Sequence, residues 1–368
     1  MLSKRAFLKR LAASGAASLS AGLALAGPLR PSILEDNAAA LRGLAAARGI
    51  AFGCATSTYE LNSEGFVAAL SREAAIIVPE YEMKRGVVEP VQGQYAFGGC
   101  DTLLRFARTH GMSLRGHPLM WHKRNPAWLE DALASSRNDA LCTGYIAAVI
   151  RHFDGQVKSW DVVNEAIAPG DGRPDGLRNT PWLKAFGPSY IDISYHAARN
   201  ADPRAMLVYN DWGCEAGAPW NDRFRAATLE FLHAALGRGV PIDALGLQGH
   251  FRAFGTPVDQ KKLAAFLDDV KALGLRILVT EHDVDDSGGP SDFASRDKAV
   301  ADTSRRFLDV MLDNDATIAV LTWGLSDRFL QSDDWRARLA GNVPRMLPLD
   351  SDLRKTAMWG AMAAAFAR

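Results

Sequence analysis

The stretch VKSWDVVNE (157–165) has the pattern of a buried β-strand that ends in a glutamate, Glu165. The stretch RILVTEHDV (276–284) repeats this pattern and carries Glu281 near its end. Apolar runs of this kind are typical of strands buried in a parallel sheet. Because the carboxyl ends of parallel strands meet at one edge of a sheet or one mouth of a barrel, the two stretches predict that Glu165 and Glu281 converge.

Further strand-like runs alternate with amphipathic, helix-like segments along the chain. The eight strand candidates are residues 50–55, 74–79, 113–116, 159–163, 205–209, 244–248, 276–280 and 318–323. Helices are predicted over residues 101–110, 138–153, 222–236, 257–273, 295–312 and 354–366. This alternation predicts an α/β protein built as a single (β/α)8 TIM barrel, although an open doubly wound sheet would give a similar pattern.

Polar and aromatic residues follow the apolar part of most predicted strands, which favours the barrel. They are Glu80, Lys84, His117, Trp121, Asn164, Glu165, Asn210, Asp211, Gln248, His250, Glu281, Asp283 and Trp323. In a barrel all such ends point to one face, where active sites lie. The first strand is not followed by a glycine-rich phosphate loop, the main signature of a dinucleotide-binding sheet. We therefore predict one catalytic barrel over residues 49–368, with a linker and lead-in helix over residues 27–48.

Residues 1–26 have the features of an export signal. A basic segment precedes an apolar, alanine-rich segment, and Ala24-Leu25-Ala26 supplies the small residues of a cleavage site. The apolar segment is too short for a comfortable membrane span. Residues 3–9 resemble a twin-arginine signal in which Lys4 replaces the first arginine, and a general secretory signal is the alternative. Either signal predicts a periplasmic or secreted protein.

Charge and cysteine spacing narrow the range of partners and cofactors. Lys and Arg together number 42, as do Asp and Glu, and removal of the signal would leave a mildly acidic chain. This argues against nucleic acid, and against a membrane after signal removal, as partners. Cys54, Cys100, Cys142 and Cys214 form no CxxC pair; three disulfide pairings or none are open, and buried free thiols are the favoured interpretation. We predict a monomer without metal or cofactor.

Two carboxyl groups across one cleft can hydrolyse a glycosidic bond. One stays protonated and donates to the departing oxygen, while the other is ionised and either attacks the anomeric carbon or activates water. A separation of about 5 to 5.5 Å gives retention and about 6.5 to 9.5 Å gives inversion, so the sequence leaves the stereochemistry open. For a single glutamate at a strand end, a surface carboxylate or a structural ion pair is the competing interpretation.

Several motifs together resemble glycoside hydrolase family 10, the endo-1,4-β-xylanases. They are RGHPLMWH (115–122), WDVVNEA (160–166), LQGH (247–250), VTEHDV (279–284), EPVQGQYAF (89–97), YND (209–211) and WGLSD (323–327). Taken along the chain, these motifs occur in the same order as in the family, and the resemblance runs from about residue 49 to residue 366. It implies hydrolysis of β-1,4-xylosidic bonds in xylan or xylo-oligosaccharides.

The resemblance also implies roles for the residues around the two glutamates. Glu165 would be the acid/base and Glu281 the nucleophile of a retaining mechanism. Asn164 would bond the 2-hydroxyl of the sugar at the cleavage point. His250 would hold Glu281 by a hydrogen bond, with Asp283 orienting the imidazole and Gln248 nearby.

Sugar-binding residues are predicted beside the catalytic pair. By the resemblance, Glu80, Lys84 and His117 contact the sugar, and Trp121, Trp212 and Trp323 supply the aromatic faces on which sugar rings stack. For a lone tryptophan, packing in the core is the competing interpretation. His122 is predicted to be a structural histidine with satisfied hydrogen bonds. A zinc site at His117, His122 and His250 is not supported, because their spacing fits no metal motif.

The chain departs from the family pattern beside the second and eighth strands. Tyr81 and Arg85 stand where the family has Asn and Trp, and His282 replaces an aliphatic residue. Gln331 lies in the segment where the family has an aromatic residue, and Trp335 would substitute for that aromatic from the loop. These changes predict a modified subsite on the non-reducing side, tolerant of decorated or shorter chains. The alternatives are a hydrolase of another β-1,4-glycan or an aryl glycoside, and a glycan-binding barrel without turnover.

Overall fold

The computed structural model describes residues 40–136, 138–330 and 343–368. Its strands are β1 (Ala51–Thr56), β2 (Ile76–Pro79), β3 (Ser113–Gly116), β4 (Val157–Asn164), β5 (Met206–Asp211), β6 (Ala244–Leu247), β7 (His250–Arg252), β8 (Arg276–Asp285) and β9 (Thr317–Thr322). The eight predicted strands are all confirmed. The short strand β7 was not predicted, and β8 runs well past its predicted end.

The strands form a closed barrel. Neighbours pair in parallel in the order β6, β5, β4, β3, β2, β1, β9, β8, and β6 also pairs with β8, which closes the ring. The additional strand β7 pairs with the end of β8 through His250 opposite Asp283. The predicted (β/α)8 barrel is therefore confirmed, and the open doubly wound sheet is wrong because a sheet of that kind has two free edges.

Helices surround the barrel. In the described residues they are α1 (Leu41–Ala47), α2 (Glu64–Glu73), α3 (Arg85–Val88), α4 (Gly98–Thr109), α5 (Trp128–Ser135), α6 (Ala140–His152), α7 (Pro181–Phe186), α8 (Ser189–Ala201), α9 (Pro219–Gly237), α10 (Gln260–Ala272), α11 (Phe293–Asp313) and α12 (Ala357–Phe366). Every predicted helix is confirmed, including the lead-in helix α1. The predicted export signal lies outside the described residues. No helix within the described ranges is long and apolar enough to cross a membrane.

Local sequence explains where the long helices begin. Asp259 accepts a hydrogen bond from the Lys262 N–H at 3.1 Å at the start of α10, and Asp292 accepts one from the Ser295 N–H at 2.8 Å at the start of α11. A side-chain cap of this kind stabilises a helix by about 1 kcal/mol because it satisfies a backbone donor that has no partner within the helix. The same aspartates end the loops that leave the mouth of the barrel.

The buried apolar residues form two layers. The barrel interior contains Ala51, Ala55, Ile76, Val78, Met206, Val208, Ala244, Leu278, Ile318, Ala319 and Leu321. Alternate residues of the same strands point outward and pack against the helices in a larger cluster. All four cysteines are buried and free, which confirms the prediction of free thiols.

One glycine is required at the end of β3. A Cβ atom on Gly116 would lie 2.0 Å from the Trp160 ring of the neighbouring strand β4, far inside van der Waals contact. Only glycine therefore allows the strands to approach here. The close approach brings His117, the next residue, to the mouth of the barrel.

Candidate active site

Both predicted catalytic glutamates are buried at the mouth of the barrel. Glu165 follows β4 directly, and Glu281 lies in β8. The backbone of Glu165 has a φ of +57°, a left-handed conformation that costs a non-glycine residue about 1 to 3 kcal/mol. Its N–H donates to the Asn210 carbonyl at 2.9 Å, and its own carbonyl accepts from Arg178 Nε at 2.7 Å. Hydrogen bonds on both sides therefore hold the strained residue in place.

Side-chain amides connect the two carboxyl groups. Asn210 Nδ2 donates to Glu281 Oε1 at 2.8 Å, and the amides of Asn210 and Asn164 are hydrogen-bonded at 2.8 Å. Gln248 Nε2 lies 3.4 Å from Glu165 Oε1. The structure therefore brings Glu165, Glu281, Asn164 and Gln248 together, as predicted, with Asn210 as the link.

Glu281 is held in its ionised form. His250 Nε2 lies 3.2 Å from Glu281 Oε2, and His250 Nδ1 lies 3.0 Å from Asp283 Oδ1. Burial opposes the charge, but His117, His250 and Lys84 together lower the pKa of Glu281 to about 2. Burial also opposes the charge of His250, yet Asp283 and Glu281 raise the pKa of that imidazole well above its usual value. The structure therefore places His250 against Glu281 and Asp283 against His250, in the arrangement that the sequence analysis predicted.

A second aspartate and histidine pair lies on the other side of Glu281. His117 Nδ1 is 2.8 Å from Asp161 Oδ2 and 3.8 Å from Glu281 Oε1. Asp161 also accepts hydrogen bonds from both terminal nitrogens of the buried Arg115. Burial and the charge of Lys84 lower the pKa of His117, against the opposing effects of Glu281 and Asp161. We attribute the ion pair with Glu281 to His250, because it is nearer.

Glu165 has a different environment. Its Oε1 receives only long contacts, and its buried Oε2 has no hydrogen-bond partner. Two nitrogens approach this Oε2: His122 Nε2 at 3.9 Å and Lys123 Nζ at 3.8 Å. Burial raises the pKa of the neighbouring Asp211 to about 7, and the charge of Glu165 adds to this rise. Glu165 therefore has an oxygen free to exchange a proton with a substrate.

His122 corrects a prediction. It was expected to be a structural histidine with satisfied hydrogen bonds, but its buried Nδ1 has no partner and its Nε2 points towards Glu165. Burial lowers the pKa of His122 to about 4, so the imidazole is neutral near pH 7. This position of His122 could not be predicted, because the loop that carries it has no periodic pattern.

The predicted sugar contacts after β2, β3 and β9 cluster beside Glu165 and Glu281. The buried Lys84 ammonium lies 4.8 Å from the centre of the Trp121 ring and 5.2 Å from that of Trp323. The Trp323 and His117 rings meet edge to face at 5.2 Å. Burial lowers the pKa of Lys84 to about 8. Glu80 Oε2 accepts a hydrogen bond from Ser57 Oγ at 3.3 Å nearby.

Trp212 lies on a different side of the mouth. It lines a cleft of about 630 Å³ together with His250, Asp283 and Trp323. Trp220 lines the same cleft, with its ring centre 6.0 Å from that of Trp212, and both indoles are more than a third exposed. The competing interpretation, that Trp212 packs in the core, is therefore wrong. Trp220 is a cleft residue that was not predicted from the sequence.

Two departures from the family pattern do not reach the cleft. The buried Arg85 pairs with Glu89 at 2.8 Å, and its guanidinium lies 4.1 to 5.5 Å from the ring centres of Tyr145, Trp182 and Trp128. The prediction that Arg85 brings a charge into the sugar subsite is therefore wrong, because aromatic rings from three helices enclose its guanidinium.

His282 is also directed away from the cleft. It is fully buried behind the barrel, with Nδ1 2.8 Å from the Gly249 carbonyl and Nε2 2.9 Å from Ser304 Oγ. Successive residues of a strand point to opposite faces, so His282 cannot share the face of Glu281 and Asp283. Tyr81 is 53% exposed. Gln331 and Trp335 lie outside the described residues.

Asn210 was predicted only as a polar residue at a strand end, without a role, and Asp161 was not singled out. A signal for each is present in the sequence: Asn210 ends the fifth strand in the YND motif, and Asp161 is a charged residue inside the apolar strand β4. A buried carboxylate of this kind requires partners, and here they are Arg115 and His117. Among the described residues, no group of three or more His, Cys, Asp or Glu side chains could hold a metal ion.

Comparison with known proteins places these residues in context. The model of glycosyl hydrolase family 10 matches residues 40–365. The chain is 31% identical over 285 residues to endo-1,4-beta-xylanase B of Thermotoga neapolitana, which covers 76% of this chain and 78% of the relative.

Solved structures agree with the sequence comparison. Native xylanase 10B from Thermotoga maritima superposes with a TM-score of 0.77 at 27% identity, covering 89% of this chain and 98% of that chain. Xylanase 10B from Thermotoga petrophila in complex with xylobiose gives a TM-score of 0.78 at 26% identity, covering 89% and 97%. The chain described here belongs to glycosyl hydrolase family 10.

Proposed function

We propose that the protein is an endo-1,4-β-xylanase that cleaves xylan with retention of configuration, with Glu281 as nucleophile and Glu165 as acid/base. The observation that carries the proposal is the contrast between the two carboxyl groups. Glu281 is ionised by its bonds to Asn210 and His250, whereas Glu165 keeps Oε2 without a hydrogen bond. Paired carboxyl groups in such opposed environments are what acid and nucleophile roles require. Family membership and the names of the relatives supply the substrate.

The first displacement follows from these environments. Glu281 attacks the anomeric carbon while protonated Glu165 gives its proton to the glycosidic oxygen, so a carbon–oxygen bond to Glu281 forms as the bond to the leaving sugar breaks. His250 gives up part of its hydrogen bond to Glu281 as the carboxylate charge is consumed. Asp283 keeps the imidazole oriented throughout.

The second displacement reverses the role of Glu165. Now ionised, Glu165 takes a proton from water, whose oxygen attacks the anomeric carbon and releases Glu281. Both displacements invert the anomeric carbon, and together they retain its configuration. Asn164, placed between the two carboxyl groups, would bond the 2-hydroxyl of the sugar, a bond that strengthens as the oxocarbenium-like state forms.

Two groups of residues would bind the chain on either side of the cleavage point. Lys84, His117, Trp121 and Trp323, with Glu80 nearby, would hold the non-reducing side through an ammonium, an imidazole and two indole faces. The cleft of Trp212 and Trp220 would hold the leaving-group side, since it adjoins His250 and Asp283. Sugar rings stack well on such exposed indoles.

Tyr81 favours a modified subsite on the non-reducing side. It is exposed where the family pattern has an asparagine, so a directional amide is replaced by an aromatic face. We expect this exchange to favour decorated or shorter xylo-oligosaccharides. Tyr81→Asn tests it: linear xylan should become the better substrate relative to substituted oligosaccharides. An unchanged preference would contradict this role.

The main proposal is tested by release of reducing sugar from glucuronoxylan and arabinoxylan. The wild type should be active, and Glu165→Ala and Glu281→Ala should each lose several orders of magnitude of activity. For Glu281→Ala, the loss should exceed the roughly 10²- to 10⁴-fold that acid–base catalysis alone contributes. A wild type that binds xylan without cleaving it would favour a glycan-binding barrel. Cleavage of another β-1,4-glycan in preference to xylan would correct the substrate.

Residues 1–26 support a proposal for location. Their basic, apolar and small-residue segments are those of an export signal, so the mature chain would begin at Gly27 and act in the periplasm or outside the cell. N-terminal sequencing of protein recovered from these fractions would test this. An intact Met1 in the cytoplasm would contradict it.

A further inference from the structure

Lys123 is placed unusually close to the proposed acid/base. Its Nζ lies 3.8 Å from Glu165 Oε2, the carboxyl oxygen without a hydrogen bond. The ammonium also lies 5.5 Å from the centre of the Trp121 ring, so the side chain crosses the edge of the cleft and does not extend freely into solvent. The Lys123 side chain is 59% exposed, whereas that of Glu165 is 8% exposed.

The other charged and titratable groups around Glu165 are neutral, opposite in charge, or held by other partners as well. His122, on the same loop, is neutral near pH 7. Lys84 is enclosed between Trp121 and Trp323 and its charge is shared among four carboxylates. Asp211, at the end of β5, carries the opposite sign, and Arg178 donates to the backbone carbonyl of Glu165 and not to its carboxyl group. From β6, Gln248 is uncharged.

We propose that Lys123 is a positioning residue that stabilises the ionised carboxylate of Glu165 through space and so sets the upper pH limit of the first displacement. The inference rests on the proposed function, in which Glu165 must be protonated to act as the acid. A positive charge near a carboxyl group favours its ionised form, so removal of Lys123 should let the first displacement continue to a higher pH. The same ammonium lies beside Glu165 in the second displacement, in which the ionised carboxylate accepts a proton from water.

The pH profile of kcat/KM on xylo-oligosaccharides tests this role. Lys123→Gln removes the charge and nearly keeps the length, so the alkaline limb should move up by about 0.3 to 0.8 pH unit, the effect expected for two charges 3.8 Å apart in high dielectric. Lys123→Arg keeps the charge and should leave the limb near that of the wild type. Arg124→Gln is the matched control, since the neighbouring Arg124 is also exposed and its loss changes the net charge equally.

A second substrate identifies the group that titrates. An aryl xylobioside with a weakly basic leaving group needs no proton from Glu165 in the first displacement, so its kcat/KM should show no comparable limb in any variant. A limb that stays in place in Lys123→Gln, or that moves equally in Arg124→Gln, would overturn the role of Lys123. A wild type without hydrolytic activity would overturn both this inference and the proposed function, whereas normal hydrolysis with an unmoved limb would overturn the inference alone.

Discussion

The surroundings of Glu281 and of Glu165 differ in how firmly each carboxyl group is held. Glu281 receives hydrogen bonds on both oxygens, from Asn210 at 2.8 Å and from His250 at 3.2 Å. Glu165 receives none shorter than 3.4 Å, and one of its oxygens has no partner. A nucleophile must stay ionised and aimed, while an acid/base must gain and lose a proton in each cycle. The difference shows that one barrel mouth can give two identical side chains unlike surroundings, as division into an acid and a nucleophile requires.

Removal of either glutamate should give the largest effect and separate the two sides of the comparison. Glu281→Ala should lower kcat/KM by about 10⁴-fold or more on every substrate, because no group remains to attack. Glu165→Ala should lose as much on xylan and far less on an aryl xylobioside with a good leaving group. Steady-state kinetics on both substrates measure this.

Azide provides the control for that experiment. In Glu165→Ala the small anion should attack the glycosyl-enzyme and give a β-xylosyl azide, with activity partly restored. In Glu281→Ala it should attack in place of the missing nucleophile and give the α-azide. The same azide anomer from both variants would break the comparison.

Loosening the support of Glu281 should give the next largest effect. Asp283→Asn removes the charge that orients His250 and stabilises its protonated form, so we expect kcat/KM to fall about 10²-fold. The midpoint of the acid limb should also move up, because a less cationic His250 protects the Glu281 carboxylate less well. Purified Asp283→Asn with a normal circular dichroism spectrum and unchanged kinetics would show that the imidazole needs no orientation.

His282 tests the opposite face of the same strand. Burial lowers its pKa in the folded protein to about 4, below the usual 6.5, so the unfolded chain binds the extra proton between these values. Stability present above pH 6.5 is therefore lost as the pH falls towards 4, by about 2 to 3 kcal/mol. His282→Leu should flatten this dependence in urea unfolding measured at pH 4.5 and 7. If the stability of the variant depended equally steeply on pH, the proton bound on unfolding would belong to a group other than His282.

The smallest predicted effect concerns the leaving-group side. Trp220→Ala removes one indole from the cleft, so KM for long xylo-oligosaccharides should rise about 3- to 10-fold while kcat changes little. Xylobiosides whose leaving group is a single aryl ring should be nearly unaffected. A loss of kcat on both substrates would mean that Trp220 supports the fold and not the substrate.

Much of the fold, and the placement of Glu165 and Glu281 at the mouth of the barrel, could be predicted because both follow from local pattern. Apolar runs define the strands, and a strand end in a parallel barrel fixes which face a residue such as Glu281 occupies. The short strand β7 could not be predicted, since its three residues have no period of their own and pair only because β8 extends beyond the barrel.

The surroundings of single side chains were harder to predict. Arg85 was expected near the sugar because of its place after Lys84, but its position was decided by Trp128, Tyr145 and Trp182, which come from three separate helices. His122 likewise approaches Glu165, which is 43 residues later in the chain, with Nε2 at 3.9 Å from Oε2. Contacts between residues distant in the chain leave no periodic trace in the sequence.

The most direct test of the central claim is to trap the glycosyl-enzyme with an activated 2-deoxy-2-fluoro-xylobioside and map the label by mass spectrometry. The fluorine slows both displacements and the good leaving group restores the first, so the intermediate accumulates. We predict a single label on Glu281 in the wild type. A label on Glu165, or an active enzyme that never becomes labelled and releases product of inverted configuration, would contradict the assignment.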